Sequence, residues 1–161
     1  MQIDYKKYID EIKEMVKTDQ ELRSAGNINW DKVTEIDRKH TFRMREIVDE
    51  IGFPTISKIG KQANADSWLL IQHSPDIGLM QEYLALMEKQ NDDEYQKMHY
   101  AYLKDRILLY EKKPQIYGTQ VVMDDKTNKF KLWDVENEAE LNERRKKIGL
   151  EPIEEYLKNF E

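Results

Sequence analysis

The stretch Ser67–Gln120 decides the fold: it opens with SWLLIQHSPD at residues 67–76 and ends in AYLKDRILLYEKKPQIYGTQ at residues 101–120. One histidine, an Asp-Arg pair, a Tyr-Gly-Thr-Gln turn and two glutamines lie beside or within its apolar runs. A polar group left without a partner inside such a run would cost roughly 1–3 kcal/mol. The stretch therefore predicts both a helical core and a place where polar side chains meet.

The first apolar run predicts a helix over residues 61–73 that has almost no polar face after Ser67, which is typical of a helix in the middle of a bundle. His73 is expected at the C-terminal end of this helix. Directly after it, Ser74-Pro75-Asp76 predicts a new helix, with Ser74 as its N-cap and the proline at its first position. Two helices are therefore expected to meet at His73.

The residues before this stretch also have a helical pattern. Apolar side chains at three- and four-residue spacing predict an amphipathic helix from Tyr5 to about Arg23. A second helix is expected after the cap-type residues at 29–31, and Gly52 is suited to end it. The N-terminal part of the chain is therefore predicted to be a pair of helices.

Asp37 and His40 lie one turn apart on the second of these helices, so their side chains could meet. The pair is either a helix-surface contact at the edge of the core, or Asp37 faces a functional site. The pattern of residues leaves both alternatives open.

Arg106 stands on the apolar face of a further helix, which is predicted to start near Glu94, and Asp105 flanks that face. A guanidinium in such a place needs a carboxylate, a carbonyl or a ligand anion as its partner. Arg106 is therefore either bonded to Asp37 or to helix-end carbonyls, or it is part of a binding site.

The spacing of the apolar residues is no longer helical after Pro114. There, QIYGTQVVM at residues 115–123 and KFKLWDV at residues 129–135 predict a β-hairpin. Gly118, inside the first predicted strand, suggests a bulge or a close approach of the backbone. Asn137 is expected to cap a helix that Gly149 can close, and a short last helix is expected to follow Pro152.

Composition limits the classes of protein. The chain has 161 residues, a net charge of −6 and no cysteine, and its three histidines have no local metal-binding spacing. A mainly α, single-domain helical bundle over residues 1–161 with one C-terminal β-hairpin is predicted, soluble and cytoplasmic, with no metal or cofactor. The acidic charge disfavours nucleic acid, and no apolar run approaches about 18 residues, so a membrane partner is not expected either.

Six short blocks occur in a recognisable order. They are Gly52-Phe53-Pro54-Thr55, Ile59-Gly60, WLLIQH at residues 68–73, AYLKDR at residues 101–106, QIYGTQ at residues 115–120, and RRKKIGL at residues 144–150 with Tyr156 after it. Together they resemble a bacterial family known as domain of unknown function family 6624, over roughly residues 37–156. The resemblance implies a family-like core at residues 31–161 and treats residues 1–30 as a helical addition outside the pattern.

The resemblance brings no activity, but it implies which positions recur in the family. These are Asp37, the Gln72-His73 pair, Asp105-Arg106, Gln115, the turn from Tyr117 to Gln120, and Arg144 or Arg145.

Two functions from different classes fit these residues. In the first, the polar groups line a pocket for a small polar or anionic molecule, possibly in a hydrolase-type enzyme. The expected catalytic residues are His73 as acid or base and Asp105, with Asp37 or Asp105 orienting the histidine. The expected ligand-binding residues are Asp37, Gln72, Arg106, Gln115, Tyr117, Gln120, Arg144 and Arg145, among which Arg106 and Arg144 would hold an anionic group.

The second function is a protein-interaction module without chemistry. In that case Asp105, Arg106 and Gln120 form an internal network that holds the hairpin to the helices, because buried polar networks can specify packing without any ligand. A protein partner or a second copy of the chain would then bind the exposed aromatic residues.

Overall fold

The computed structural model of the chain describes residues 3–160. The protein is mainly α-helical with one small antiparallel hairpin, as the sequence predicts. Two compact units divide the chain, Met1–Gln96 and Lys97–Glu161, and each is described by itself. A compact unit need not fold on its own, so these two units do not decide whether the chain is one domain or two. The single domain over residues 1–161 therefore stays a prediction.

The first unit contains four helices, α1 (Tyr5–Arg23), α2 (Trp30–Ile51), α3 (Ile56–Gln72) and α4 (Ile77–Met87). Helix α1 packs on α2 and α3, and α4 packs on the same two helices. The apolar stripes that predicted α1 and α2 form the centre of this unit. Its buried side chains include Tyr8, Ile12, Met15, Val33, Met44, Ile47, Leu70, Ile71, Met80 and Leu84.

The ends of α1 and α2 follow local capping chemistry, which confirms their predicted bounds. The side chain of Asn29 accepts a hydrogen bond from the Lys32 amide at 3.1 Å and starts α2. Gly52, with a φ of 68°, ends the same helix, because a residue without a Cβ adopts this left-handed backbone conformation at little cost.

Helix α3 begins earlier than the predicted residue 61. Thr55 caps it, and Gly60, with φ 81° and ψ 161°, puts a kink inside it. A glycine is needed there because an L side chain is strained at this φ. His73 is the C-cap of α3, as predicted.

The predicted start of α4 is wrong by two residues. Asp76, not Ser74, is the N-cap, and its Oδ1 accepts a hydrogen bond from the Leu79 amide at 3.1 Å. The Ser74 hydroxyl instead accepts from the Asp76 amide and lies 2.9 Å from the Thr41 hydroxyl. Ser74 therefore joins α2 to the end of α3 rather than starting a helix.

The second unit consists of α5 (Lys97–Tyr110), the strands β1 (Val121–Asp124) and β2 (Lys129–Leu132), α6 (Leu141–Lys147) and α7 (Ile153–Leu157). The strands are antiparallel, with Val121 opposite Leu132 and Asp124 opposite Lys129. Short 3-10 turns precede α6 and follow α7. A mainly helical unit with one hairpin is the architecture expected for this part of the chain.

Three local predictions in the second unit are wrong. Helix α5 starts at Lys97 rather than near Glu94. Gly118, with φ 66°, lies in the loop before β1 and not inside a strand, because the amides of Tyr117 and Thr119 on either side of it donate to the Asp105 carboxylate. Asn137 has a left-handed backbone with φ 48° and makes no side-chain cap bond, so a 3-10 turn comes before α6.

Among residues 3–160, none of the helices has both the length and the apolar character needed to span a membrane.

Candidate functional site

His73 forms a close pair with Asp19 in the first unit. Its Nδ1 lies 2.9 Å and 3.1 Å from the two carboxylate oxygens of Asp19, across 54 residues of sequence. The Asp19 side chain is 1% exposed and the His73 side chain is 20% exposed. A carboxylate facing Nδ1 keeps a proton on that nitrogen, so Nε2 is the nitrogen left to exchange a proton.

Arg23 extends this pair to a second carboxylate. Its Nε donates to Asp19 Oδ1 at 3.0 Å, and its Nη2 donates to both oxygens of Asp37 at 2.7 Å and 2.8 Å. Gln20 donates to the other Asp19 oxygen at 2.7 Å. We call His73, Asp19, Arg23 and Asp37 the acid–histidine cluster.

The hydrogen bonds of Asp19 have a clear electrostatic effect. Burial alone would raise the pKa of Asp19, but the hydrogen bonds from His73, Arg23 and Gln20 outweigh it and lower the pKa to about 2. Asp19 is therefore an ionised carboxylate at neutral pH, even though its side chain is almost completely buried.

His40 does not pair with Asp37, so the interpretation as a contact between these two residues is wrong, while a position of Asp37 facing a functional site stays a prediction. The Asp37 carboxylate binds Arg23, and the buried His40 Nδ1 has no hydrogen-bond partner within residues 3–160. Burial lowers the pKa of His40, partly offset by the charges of Asp19 and Asp37. Asp37 acts on the cluster through Arg23, and it does not orient His73 directly.

Gln72, the other predicted ligand residue in this unit, is the last residue of α3 and is buried beside the histidine in sequence. Asp19 was not among the predicted residues. A signal for it exists, however, because Asp19 continues the buried stripe of Tyr8, Ile12 and Met15 at helical spacing. An acid at the end of an apolar stripe needs a partner.

Asp105 holds a loop in the second unit. Its two oxygens accept hydrogen bonds from the amides of Ile116 at 2.8 Å, Tyr117 at 3.1 Å and Thr119 at 3.0 Å, and from the Thr119 hydroxyl at 3.0 Å. The side chain is fully buried. Burial raises the pKa of Asp105, and these four donors partly offset the rise.

Arginine side chains bind the carbonyl groups of the same loop. Arg145 Nη1 donates to Tyr117 O at 2.8 Å and to Gly118 O at 3.0 Å, while Arg144 Nε donates to Ile116 O at 2.8 Å. The Tyr156 hydroxyl donates to Thr119 O at 2.7 Å. The other nitrogens of Arg144 donate to the carbonyls of residues 136 and 137, so no predicted anion contact is needed to explain this residue.

Gln115 and Gln120 hold the two ends of the loop together. Gln115 Oε1 accepts from the Gln120 amide at 2.8 Å, and Gln115 Nε2 donates to Gln120 O at 2.9 Å and to Trp133 O at 2.8 Å. Arg106 Nε lies 3.4 Å from Gln120 Oε1, which is a long hydrogen bond. We call residues 115–120 the clamped loop.

The clamped loop thus lies between charges of opposite sign. Its N–H groups point to the Asp105 carboxylate and its C=O groups point to Arg144 and Arg145, so peptide groups connect the acid to the two bases. Charge-assisted hydrogen bonds of this kind are roughly twice as strong as neutral ones. The arrangement fixes the loop, and the catalytic role of Asp105 stays a prediction that these contacts do not require.

The predicted site residues therefore fall into two sets. Asp37, Gln72 and His73 belong to the first unit, where Asp19 and Arg23 join them. The second unit holds Asp105, Arg106, Gln115, Tyr117, Gln120, Arg144 and Arg145. The shared pocket expected from the sequence stays a prediction. Residues 3–160 contain no cluster of three or more histidine or acidic side chains that could hold a metal ion.

These features define a mainly helical protein with a buried carboxylate–histidine pair and a loop held by charged side chains. The chain belongs to the Family of unknown function (DUF6624), whose model matches residues 8–161. The recognition made from the six sequence blocks is confirmed. The match also includes most of α1, which the resemblance had left outside the family pattern. None of the curated proteins and none of the solved structures match the chain.

Proposed function

We propose that the first unit binds a small polar molecule and that His73 is its acid–base group, oriented by Asp19. One observation carries the proposal: Nδ1 of His73 faces both oxygens of a buried, ionised carboxylate, while the His73 side chain is 20% exposed. A histidine with only a packing role has no need of this combination.

The chemistry follows from the tautomer. With the proton held on Nδ1 by Asp19, Nε2 carries a lone pair that can accept a proton from a water or a ligand hydroxyl. Asp19 would stabilise the imidazolium that forms and keep the ring in one orientation, as carboxylates do in hydrolytic triads. The activated oxygen could then attack an ester, amide or phosphoester, and Nε2 would return the proton to the leaving group.

The charge of the acid–histidine cluster narrows the ligand class. Asp19 and Asp37 place two carboxylates against the single guanidinium of Arg23, which leaves one excess negative charge before His73 is counted. Arg23 is already bonded to both acids, so it has little to offer a ligand anion. We therefore favour a neutral polar group, such as a hydroxyl, as the ligand part that contacts His73.

Turnover of a panel of small carboxylic esters, amides and phosphoesters tests the proposal. His73→Asn is expected to lower any turnover by about 10²-fold or more, the usual contribution of a general base. Asp19→Asn is expected to reduce it too and to move its pH profile. Lys17→Gln, an exposed change two residues from Asp19 on α1, is the matched control and should leave the rate unchanged.

The proposal is wrong if turnover by the His73→Asn protein equals that of the wild type, or if no compound in the panel is bound or turned over. Ligand-observed NMR with the same panel distinguishes loss of binding from loss of chemistry. Urea unfolding of each variant separates both of these from loss of the fold.

A second function, an interaction module without chemistry, is favoured by the clamped loop. The side chains of Asp105, Gln115, Arg144 and Arg145 all bind main-chain groups, as expected of a network that only holds structure. Under this function, wild type and His73→Asn protein would retain the same co-purified partner, identified by its mass, and neither would bind the panel.

A further inference from the structure

Arg145 is a buried cation with acidic side chains nearby, but none of the described residues forms a direct ion pair with it. Its side chain is 1% exposed, its Nε donates to Glu151 O at 2.6 Å, and its Nη1 donates to two carbonyls of the clamped loop. Within residues 3–160 the guanidinium forms no ion pair, and its Nη2 makes no hydrogen bond. Buried charges in proteins are normally paired. Because Arg145 Nη2 makes no hydrogen bond within residues 3–160, its N–H groups can still donate to a ligand.

Arg145 also lines a cleft of about 290 Å³ in the second unit. The guanidinium carbon stands 5.0 Å from the centre of the Tyr156 ring, which keeps it in place from one side. The remaining lining residues are Met98, Tyr102, Gly149, Leu150, Glu151 and Tyr156. The cleft therefore combines one cationic donor with a lining that is about equally polar and apolar.

We propose that this cleft binds a small carboxylate with an apolar body. The carboxylate would accept hydrogen bonds from Arg145 Nη2, and the apolar body would pack against Met98 and Leu150. Glu151 lines the same cleft, and its negative charge disfavours a doubly charged phosphate more than a singly charged carboxylate. Burial lowers the pKa of Arg145, so a bound anion would also relieve the cost of the buried charge.

This site does not rest on the acid–base role of His73, because all of its residues belong to the second unit. It also differs from the anion site expected from the sequence, which relied on Arg106 and Arg144. Arg106 Nε lies 3.4 Å from Gln120 Oε1, and Arg144 Nε donates to the Ile116 carbonyl.

NMR titration of the full-length protein tests the inference, with butyrate and inorganic phosphate as probes at constant ionic strength. The Nε–H signal of Arg145 reports on the site because that group is held by Glu151 O. Butyrate should shift this signal in a saturating manner, and phosphate should not. An equal, saturating response to phosphate would overturn the assignment to a carboxylate.

Met98→Glu places a negative charge at the cleft and should weaken butyrate binding at least about fivefold. Met123→Glu is the matched control, because Met98 and Met123 are similarly exposed, at 41% and 47%, and Met123 does not line this cleft. Equal affinities in the two variants, or a shift that never saturates in the wild type, would overturn the proposal.

Discussion

At the scale of single residues, Asp19 shows how much a buried acid depends on its partners. Three side chains donate to its two oxygens, and they keep it charged in a place where burial favours the neutral acid. If one member of such an ion pair is removed, the other charge stays buried without a partner, and this destabilises the folded state. The stability of the first unit should therefore depend on the charge of Asp19.

We predict that Asp19→Asn destabilises the protein by about 3 kcal/mol at pH 6, because Arg23 and His73 lose a charged partner. The pKa of Asp19 falls from its ordinary 3.8 to about 2 on folding. The folded state thus binds fewer protons, so this stabilisation is present above about pH 4 and is lost as the pH falls toward 2.

Urea unfolding of wild type and variant at several pH values measures this effect. The difference between the two should shrink by about 2 kcal/mol between pH 6 and pH 2. Lys17→Gln is again the control, and it should follow the wild type at every pH. A difference that does not change with pH would contradict the low pKa of Asp19.

Tyr83 presents the opposite case, a buried polar group to which no described residue forms a hydrogen bond. Its side chain is fully buried, its ring packs 5.0 Å from that of Phe53, and its hydroxyl has no hydrogen-bond partner within residues 3–160. Burial also raises the pKa of Tyr83 well above its usual value. A buried hydroxyl without a partner costs about 1–3 kcal/mol.

We therefore predict that Tyr83→Phe stabilises the protein by about 1 kcal/mol, with a Tm higher by several degrees in calorimetry. Tyr110→Phe removes the same atom from an exposed tyrosine and should change the Tm very little. A lower Tm for Tyr83→Phe would show that the hydroxyl has a partner after all.

At the scale of elements, the clamped loop shows how a segment without regular structure can be held in one conformation. Its amides and carbonyls have the same need for partners as those of a strand. Here Asp105 and Arg145 supply them, one from α5 and the other from α6. Residue 118 must also be small, because a Cβ at Gly118 would lie 3.2 Å from side-chain atoms of Ile153 and Leu141.

We predict that Asp105→Asn releases the clamped loop, because an amide offers one acceptor oxygen and turns an NH₂ donor toward amides that are donors too. Hydrogen exchange of the Ile116, Tyr117 and Thr119 amides should accelerate by at least about tenfold, equivalent to about 1.4 kcal/mol.

Asp125→Asn, an exposed change in the hairpin turn, is the control and should leave these three amides protected. If the amides stay equally protected in Asp105→Asn, then other contacts hold the loop and the role given to Asp105 is wrong.

At the scale of the whole molecule, one family pattern spans both compact units, because the match covers residues 8–161. The polar residues predicted from the sequence make different contacts in the two units. In the first, Asp37 and His73 join Asp19 and Arg23 in a charged cluster, and in the second, most of the predicted residues bind main-chain groups. The predicted residues therefore support both a chemical and a structural interpretation.

Much of the fold was predictable from local patterns. The bounds of α1 and the C-terminal end of α2 follow from the spacing of apolar residues and from cap residues such as Gly52, which act within a few positions. The predicted first residues of α3, α4 and α5 are less accurate than the predicted bounds of α1. Where Ser74 and Asp76 compete as caps, the contact of Ser74 with Thr41, 33 residues away, contributes to the outcome.

The sequence by itself determined the helical periodicity, the hairpin, the family and the position of His73 at the end of a helix. Only the tertiary structure decided the partners of the polar groups: Asp19 for His73, Arg23 for Asp37, and loop carbonyls for Arg144 and Arg145. The reason is physical. Periodicity and caps act between neighbours along the chain, whereas an ion pair or a buried hydrogen bond forms between whichever groups the packing of distant elements brings within about 3 Å.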